Sequence, residues 1–131
     1  MADGIIIGVQ HLAINVTDIA AARQFYGDIL GLTELPRPSA VAEQFRSIWY
    51  LLGNAELHVV ENPEFTPLKS PLGPHFAVAC DDFSAACQRI SALTDAIVFG
   101  PARAVDGIER MVVRDPTGNV IEIIDLPLHN G

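Results

Sequence analysis

The chain repeats itself. His11-Leu-Ala-Ile-Asn-Val-Thr-Asp18 lies over His75-Phe-Ala-Val-Ala-Cys-Asp-Asp82 at a separation of 64 residues. Ala21, Ala22 and Gln24 fall on Ala85, Ala86 and Gln88, and the same step carries His58 onto Glu122 without a gap. Such a repeat constrains the fold strongly. Whatever supersecondary unit the first half builds, the second half builds again, and a unit of about 60 residues buries too little surface to be robust alone. The two copies are therefore expected to pack into one domain spanning 1–131, with module one at about 5–62 and module two at about 74–126.

Both halves show one order of elements. Residues 9–16 are β-branched and apolar, as a strand requires. Asp18 suits a helix N-cap, Ile19, Ala22, Tyr26, Ile29 and Leu30 recur at helical spacing, and Gly31 suits the residue after the helix. Strands are expected near 33–36, 45–52 and 55–61, with Gly53-Asn54 turning the last pair. In the second half a strand at 75–80 leads to a helix capped by Asp81 or Asp82, then to strands near 96–99, 108–114 and 119–125. Asp115-Pro-Thr-Gly-Asn119 carries the final turn. Residues 62–74 hold four of the nine prolines and form a stiff connector. The expected fold class is α+β: two tandem βαβββ modules forming a concave, partly open mixed sheet, with a helix on the outside of each half.

Charge narrows the partners. Eight basic and 16 acidic side chains leave a net charge of −8. A chain this acidic, with no basic stripe, repels phosphate, so nucleic acid and anionic membrane surfaces are poor partners. No apolar run is long enough to cross a bilayer, and the first residues lack the pattern of a secretory leader, which makes the cytoplasm the expected compartment. Cys80 and Cys87, the only cysteines, read as small apolar side chains.

The polar residues that fall on repeat landmarks carry the chemistry. Of the four histidines, only His129 lies outside the repeat. His11 and His75 occupy equivalent first strands, and His58 and Glu122 equivalent last strands. Side chains alternate along a strand, so His58 shares a face with Glu56 and Val60 while Leu57 and Val59 point away. A polar residue on an otherwise apolar face needs a partner. Three imidazoles and a carboxylate suit a divalent Zn, Ni, Co, Fe or Mn ion. With one protein carboxylate the site stays positive and favours an anionic substrate oxygen. Glu122 or Glu56 is the candidate general base. Trp49, Phe45 and Met111 are candidates for an apolar substrate wall, with core packing as the competing reading. Among the arginines Arg110 is the best placed to pair with a substrate carboxylate, and Arg37, Arg46 and Arg103 are weaker candidates. Asp115 reads as a turn residue.

The motifs His11-Leu-Ala, Phe25-Tyr-Gly-Asp-Ile-Leu-Gly-Leu32, Glu56-Leu-His-Val-Val-Glu61, His75-Phe-Ala-Val and Asp115-Pro-Thr-Gly-Asn-Val-Ile-Glu122 together resemble the vicinal oxygen chelate superfamily. That superfamily includes glyoxalase I, extradiol dioxygenases and bleomycin-binding proteins. The resemblance covers nearly the whole chain. It implies a metal held by His11, His58, His75 and Glu122, a small-molecule substrate and a homodimer. The activity it implies is a glyoxalase-like lyase or isomerase that chelates vicinal oxygens and abstracts a proton. The alternatives are a non-haem Fe(II) ring-cleaving dioxygenase and a non-enzymatic, ligand-sequestering protein of the bleomycin-resistance kind. Glyoxalase I usually carries a carboxylate where this chain has His58.

Overall fold

A computed structural model describes residues 4–70 and 72–129; of the connector, Pro71 lies outside the described residues. Module one runs β1 (His11–Val16), α1 (Ile19–Ala22), β2 (Glu34–Leu35), α2 (Ser39–Gln44), β3 (Ser47–Leu52) and β4 (Ala55–Glu61). Module two runs β5 (His75–Ala79), α3 (Phe83–Leu93), β6 (Ile97–Arg103), β7 (Glu109–Arg114) and β8 (Val120–Ile124). Each module forms its own four-stranded sheet, in the orders β1-β4-β3-β2 and β5-β8-β7-β6. The first and last strands of each module pair in parallel, and the remaining pairs are antiparallel. A parallel pair cannot be joined by a tight turn, so the helix and two strands between the partners serve as the crossover.

Local chemistry fixes the helices. The Asp18 carboxylate accepts from the N–H groups of Ala20 and Ala21 at 3.0 and 3.2 Å, and Glu61 accepts from that of Ile19 at 3.0 Å. Three of the unpaired amides at the start of α1 are thereby satisfied. Asp82 repeats the cap on the Ala85 N–H at 3.0 Å. After Ala22 the first helix widens into a π-helix over Arg23–Ile29, and the Leu30 N–H reaches back five residues to the Phe25 carbonyl at 2.9 Å. Gly31, at φ 74°, ends it in the left-handed region expected of a residue past a helix end.

Alternation then separates two faces on each sheet. Val16, Ile48, Tyr50, Leu57 and Val59 in module one are buried, as are Met111, Val113, Ile121 and Ile123 in module two. They pack beneath Ile19, Ala22, Phe25 and Tyr26 of the first helix and Phe83, Cys87 and Ile90 of the second, in one core shared by both modules. Polar ties cross the seam: Asn119 Nδ2 donates to the Asn15 carbonyl at 2.8 Å, and Arg89 to that of Asp28 at 2.8 Å. The Tyr26 hydroxyl donates to Asp115 Oδ2 at 2.7 Å. The opposite faces remain open to solvent, with His11, Ala13, His75 and Ala77 exposed.

Two buried tyrosines give a contrast that can be measured. Tyr26 is hydrogen-bonded, whereas the Tyr50 hydroxyl has no partner among the described residues. Burial pushes both phenols up, Tyr50 to about 12, and in Tyr26 the neighbouring Asp115 carboxylate adds to the effect of burial. The fold thus favours the neutral phenol. The stability this confers is complete below the unfolded value near pH 10 and is lost as the pH rises through the folded value. Urea unfolding should therefore show a midpoint that declines above pH 10, less steeply in Tyr50→Phe. At pH 7, Tyr50→Phe should change stability by less than ~1 kcal/mol, whereas Tyr26→Phe should cost about 1–3 kcal/mol. Equal losses in the two variants at pH 7 would contradict the assignment.

Candidate functional site

The register places the landmark residues with the same geometry twice. On the open face of module one, His11 lies on β1 and His58 on β4, with Ala13 paired to His58. In module two His75 lies on β5 and Glu122 on β8, with Ala77 paired to Glu122. Each pair is thus one diagonal step apart on one face of adjacent parallel strands. The His11 and His58 rings stack with centroids 4.1 Å apart. Trp49, opposite His58 across the β3–β4 ladder, stacks on its other side at 4.0 Å and 2°.

Each of the three landmark imidazoles has one nitrogen held by an oxygen. His11 Nδ1 bonds the Gln10 side-chain oxygen, and His75 Nδ1 donates to the Gly73 carbonyl at 2.8 Å. His58 Nε2 donates to Glu56 Oε1 at 2.8 Å. An oxygen acceptor fixes the proton on the nitrogen that faces it, leaving a lone pair on the other nitrogen. In metal sites, an oxygen holding the far nitrogen of a histidine in this way orients the ring and fixes which nitrogen can bind the ion. The donor set therefore fits a divalent ion by its chemistry. Gln10 and Gly73, which supply two of these oxygens, were not anticipated; their only sequence signal is a place just ahead of each first-strand histidine.

The second face carries a charged cluster. Arg110 lies on β7, on the same face as Glu122, and donates to Glu122 Oε1 at 3.1 Å and to Asp106. Burial works against its cation, but these two carboxylates outweigh that and raise its pKa. Asp106 is held below the ordinary carboxylate range, first by the Ile108 N–H and then by Arg110. Asp106 was also missed in sequence, although Asp106-Gly107 marks the turn that brings it back over β7.

The remaining candidates separate. Trp49 does lie on the open face, and Glu56 lies beside His58. Phe45 caps the end of α2 and is 49% exposed. Met111 is corrected: it is fully buried on the other face of β7 and packs beneath α3, where its sulfur accepts from the Ser91 hydroxyl at 3.8 Å. Adjacent strand residues face opposite ways, so Arg110 and Met111 cannot both line one site. Cys80 and Cys87 are free, and burial pushes both thiols up, away from a reactive thiolate.

The two half-sets stay apart within the chain. Among the described residues, no group of three or more His, Cys, Asp or Glu side chains is gathered to hold a metal ion. The four landmarks are two pairs on two open faces, not one cluster. Nor is any helix among the described residues long and apolar enough to cross a membrane.

Comparison with known proteins agrees with this architecture. The sequence pattern described as "Glyoxalase/Bleomycin resistance protein/Dioxygenase superfamily" matches residues 8–123. A solved glyoxalase family protein from Bacillus anthracis superimposes with a TM-score of 0.80 at 26% identity, covering 96% of this chain and all of that one. A glyoxalase/dioxygenase from Nostoc punctiforme gives a TM-score of 0.79 at 29% identity, covering 98% of this chain and 97% of its own. A lactoylglutathione lyase from Agrobacterium tumefaciens shares the fold, with a TM-score of 0.70 at 21% identity over 93% of this chain and 96% of its own. No curated protein matches the chain.

Proposed function

The chain belongs to the glyoxalase/bleomycin resistance protein/dioxygenase superfamily, and from that premise we propose that it is a divalent-metal-dependent lyase or isomerase acting on a small oxygenated substrate. The observation that carries this reading is the duplicated register, which presents His11 with His58 and His75 with Glu122 on two open faces. Two copies related by a two-fold axis bring one face of each kind together. The site is then built twice in a homodimer, from His11 and His58 of one copy and His75 and Glu122 of the other.

When bound, a Zn, Ni, Co, Fe or Mn ion polarises neighbouring substrate oxygens and acidifies the C–H bond beside a carbonyl. The protein's own groups do the rest. Glu122 has Oε1 held by Arg110, while Oε2 has no hydrogen-bond partner among the described residues and can take the substrate proton. Glu56 is the second candidate base; its carboxylate also holds the His58 proton in place. Trp49 presents a flat apolar wall beside the imidazoles.

Protein purified without chelator should hold about one ion per chain, a stoichiometry set by one ligand quartet per copy. Loaded protein should exchange the C–H proton beside the carbonyl of hydroxyacetone with deuterated solvent, followed by proton NMR. Glu122→Gln should slow that exchange roughly 10²- to 10⁴-fold, the usual contribution of a positioned base. Retention of no ion, together with a melting temperature unmoved by added metal, would sink the proposal. Oxygen uptake with ferrous iron and catechol would transfer the assignment to ring cleavage.

A further inference from the structure

Arg37 lies between β2 and α2, and its guanidinium is tied down. Nη1 donates to the Phe45 carbonyl at 3.1 Å and to Ser47 Oγ at 3.0 Å. Ser47 is two residues before Trp49 on β3, so the two side chains share a face. Across the ladder Ser47 pairs with Val60, as Trp49 pairs with His58. The Arg37 guanidinium is therefore anchored at one end of the His11–His58 face. One two-residue step along the strand, ~7 Å, separates its anchor from the Trp49–His58 stack.

The charge there is unbalanced. Arg23, Arg46 and Arg110 each have a carboxylate within 4.0 Å or less. Arg37 is half-buried and makes no ion pair among the described residues, in a chain of net charge −8. A partly desolvated guanidinium with free N–H donors and no countercharge is a carboxylate receptor, because its fork geometry matches that anion. Glu56, the carboxylate on this face beside His58, is engaged by the His58 ring.

We propose that Arg37 binds the carboxylate of the substrate, so that the substrate class is a short-chain organic acid bearing a hydroxyketone or similar vicinal-oxygen group. This rests on the metal-site reading for the vicinal oxygens but not for the anion. The carboxylate sits at Arg37, and the oxygenated carbons extend one two-residue step along the strand to His58. The acid end fixes direction on the face and leaves the oxygenated end at the histidines.

The test uses 5-hydroxy-4-oxopentanoate and its neutral methyl ester, titrated by calorimetry into zinc-loaded wild type, Arg37→Met and Arg37→Lys. The acid should bind wild type about tenfold more tightly than the ester, as expected for one charge-assisted bidentate contact. Arg37→Met should abolish that difference while leaving ester binding and zinc content unchanged, and Arg37→Lys should retain part of it. Equal binding of acid and ester to wild type overturns the proposal, as does an equal loss of both in Arg37→Met. A second arm needs no metal. Trp49 is the only tryptophan, and quenching of its fluorescence by iodide should fall about twofold in Arg37→Met as the local positive potential is lost. Quenching by neutral acrylamide should not change. Unchanged iodide quenching overturns the anion site. Absence of zinc binding in wild type overturns the metal reading alone.

Discussion

Asp115→Ala should lower the stability to unfolding by about 3–5 kcal/mol, the range expected when a carboxylate that collects several buried hydrogen bonds is removed. Oδ1 accepts from the N–H groups of Thr117, Gly118 and Asn119 at 3.0, 2.8 and 2.8 Å. Oδ2 accepts from the Tyr26 hydroxyl at 2.7 Å and from Asn119 Nδ2 at 2.9 Å. One side chain thus closes the β7–β8 turn and joins it to the first helix of the other module. Only 3% of Asp115 is exposed, so water cannot replace these bonds without opening the seam. Asp115→Asn keeps the shape but turns one acceptor into a donor, and should lose roughly half as much. Urea unfolding followed by circular dichroism reads both. A loss under ~1 kcal/mol in Asp115→Ala would show that the turn holds without its carboxylate.

The second large effect is a rescue. Chains carrying His11→Ala with His58→Ala, and chains carrying His75→Ala with Glu122→Ala, should each bind no metal tightly. Mixed after mild denaturation and refolding, they should regain about one quarter of the wild-type metal capacity. Half of the dimers are then mixed, and each mixed dimer holds one intact quartet and one empty one. A quartet built within a single chain gives no rescue in any mixture. Equilibrium dialysis with zinc distinguishes the two outcomes, and a capacity that stays at zero after mixing would reject the shared site.

Much of this architecture could be read from the repeat, because equivalent residues had to occupy equivalent strands. The parallel neighbours β1–β4 and β5–β8 lie where the 64-residue step puts them. The first helix starts at its Asp cap and ends at Gly31 as the spacing indicates. The widening over Arg23–Ile29 has no periodic signature, since apolar residues at helical spacing suit either winding. Helix α2 was not anticipated: Ser39–Gln44 contains a single half-buried apolar residue, Val41, and has no counterpart in the second half. Strand β6 runs on to Arg103 through Gly100 and Pro101, residues that usually mark an ending. The faces that carry His11, His58, His75 and Glu122 were legible from alternation alone. Their separation into two half-sets was not, because it depends on how the modules pack, and a pattern along one strand carries no record of that. Met111 was misplaced although parity already opposed it to Arg110.

Closing each sheet between the first and last strands of its own module also orders events during synthesis. β1 must wait for β4, 40 or more residues later, before it gains its one ladder partner among the described residues. Once Glu61 has left the ribosome, module one has every strand of its sheet, but the core it shares with module two is completed only when that module's strands and helix have been made. The exposed helix flank of module one stays unlatched until Asp115 emerges to receive the Tyr26 hydroxyl. The nascent chain therefore presents the His11–His58 face before the His75–Glu122 face exists.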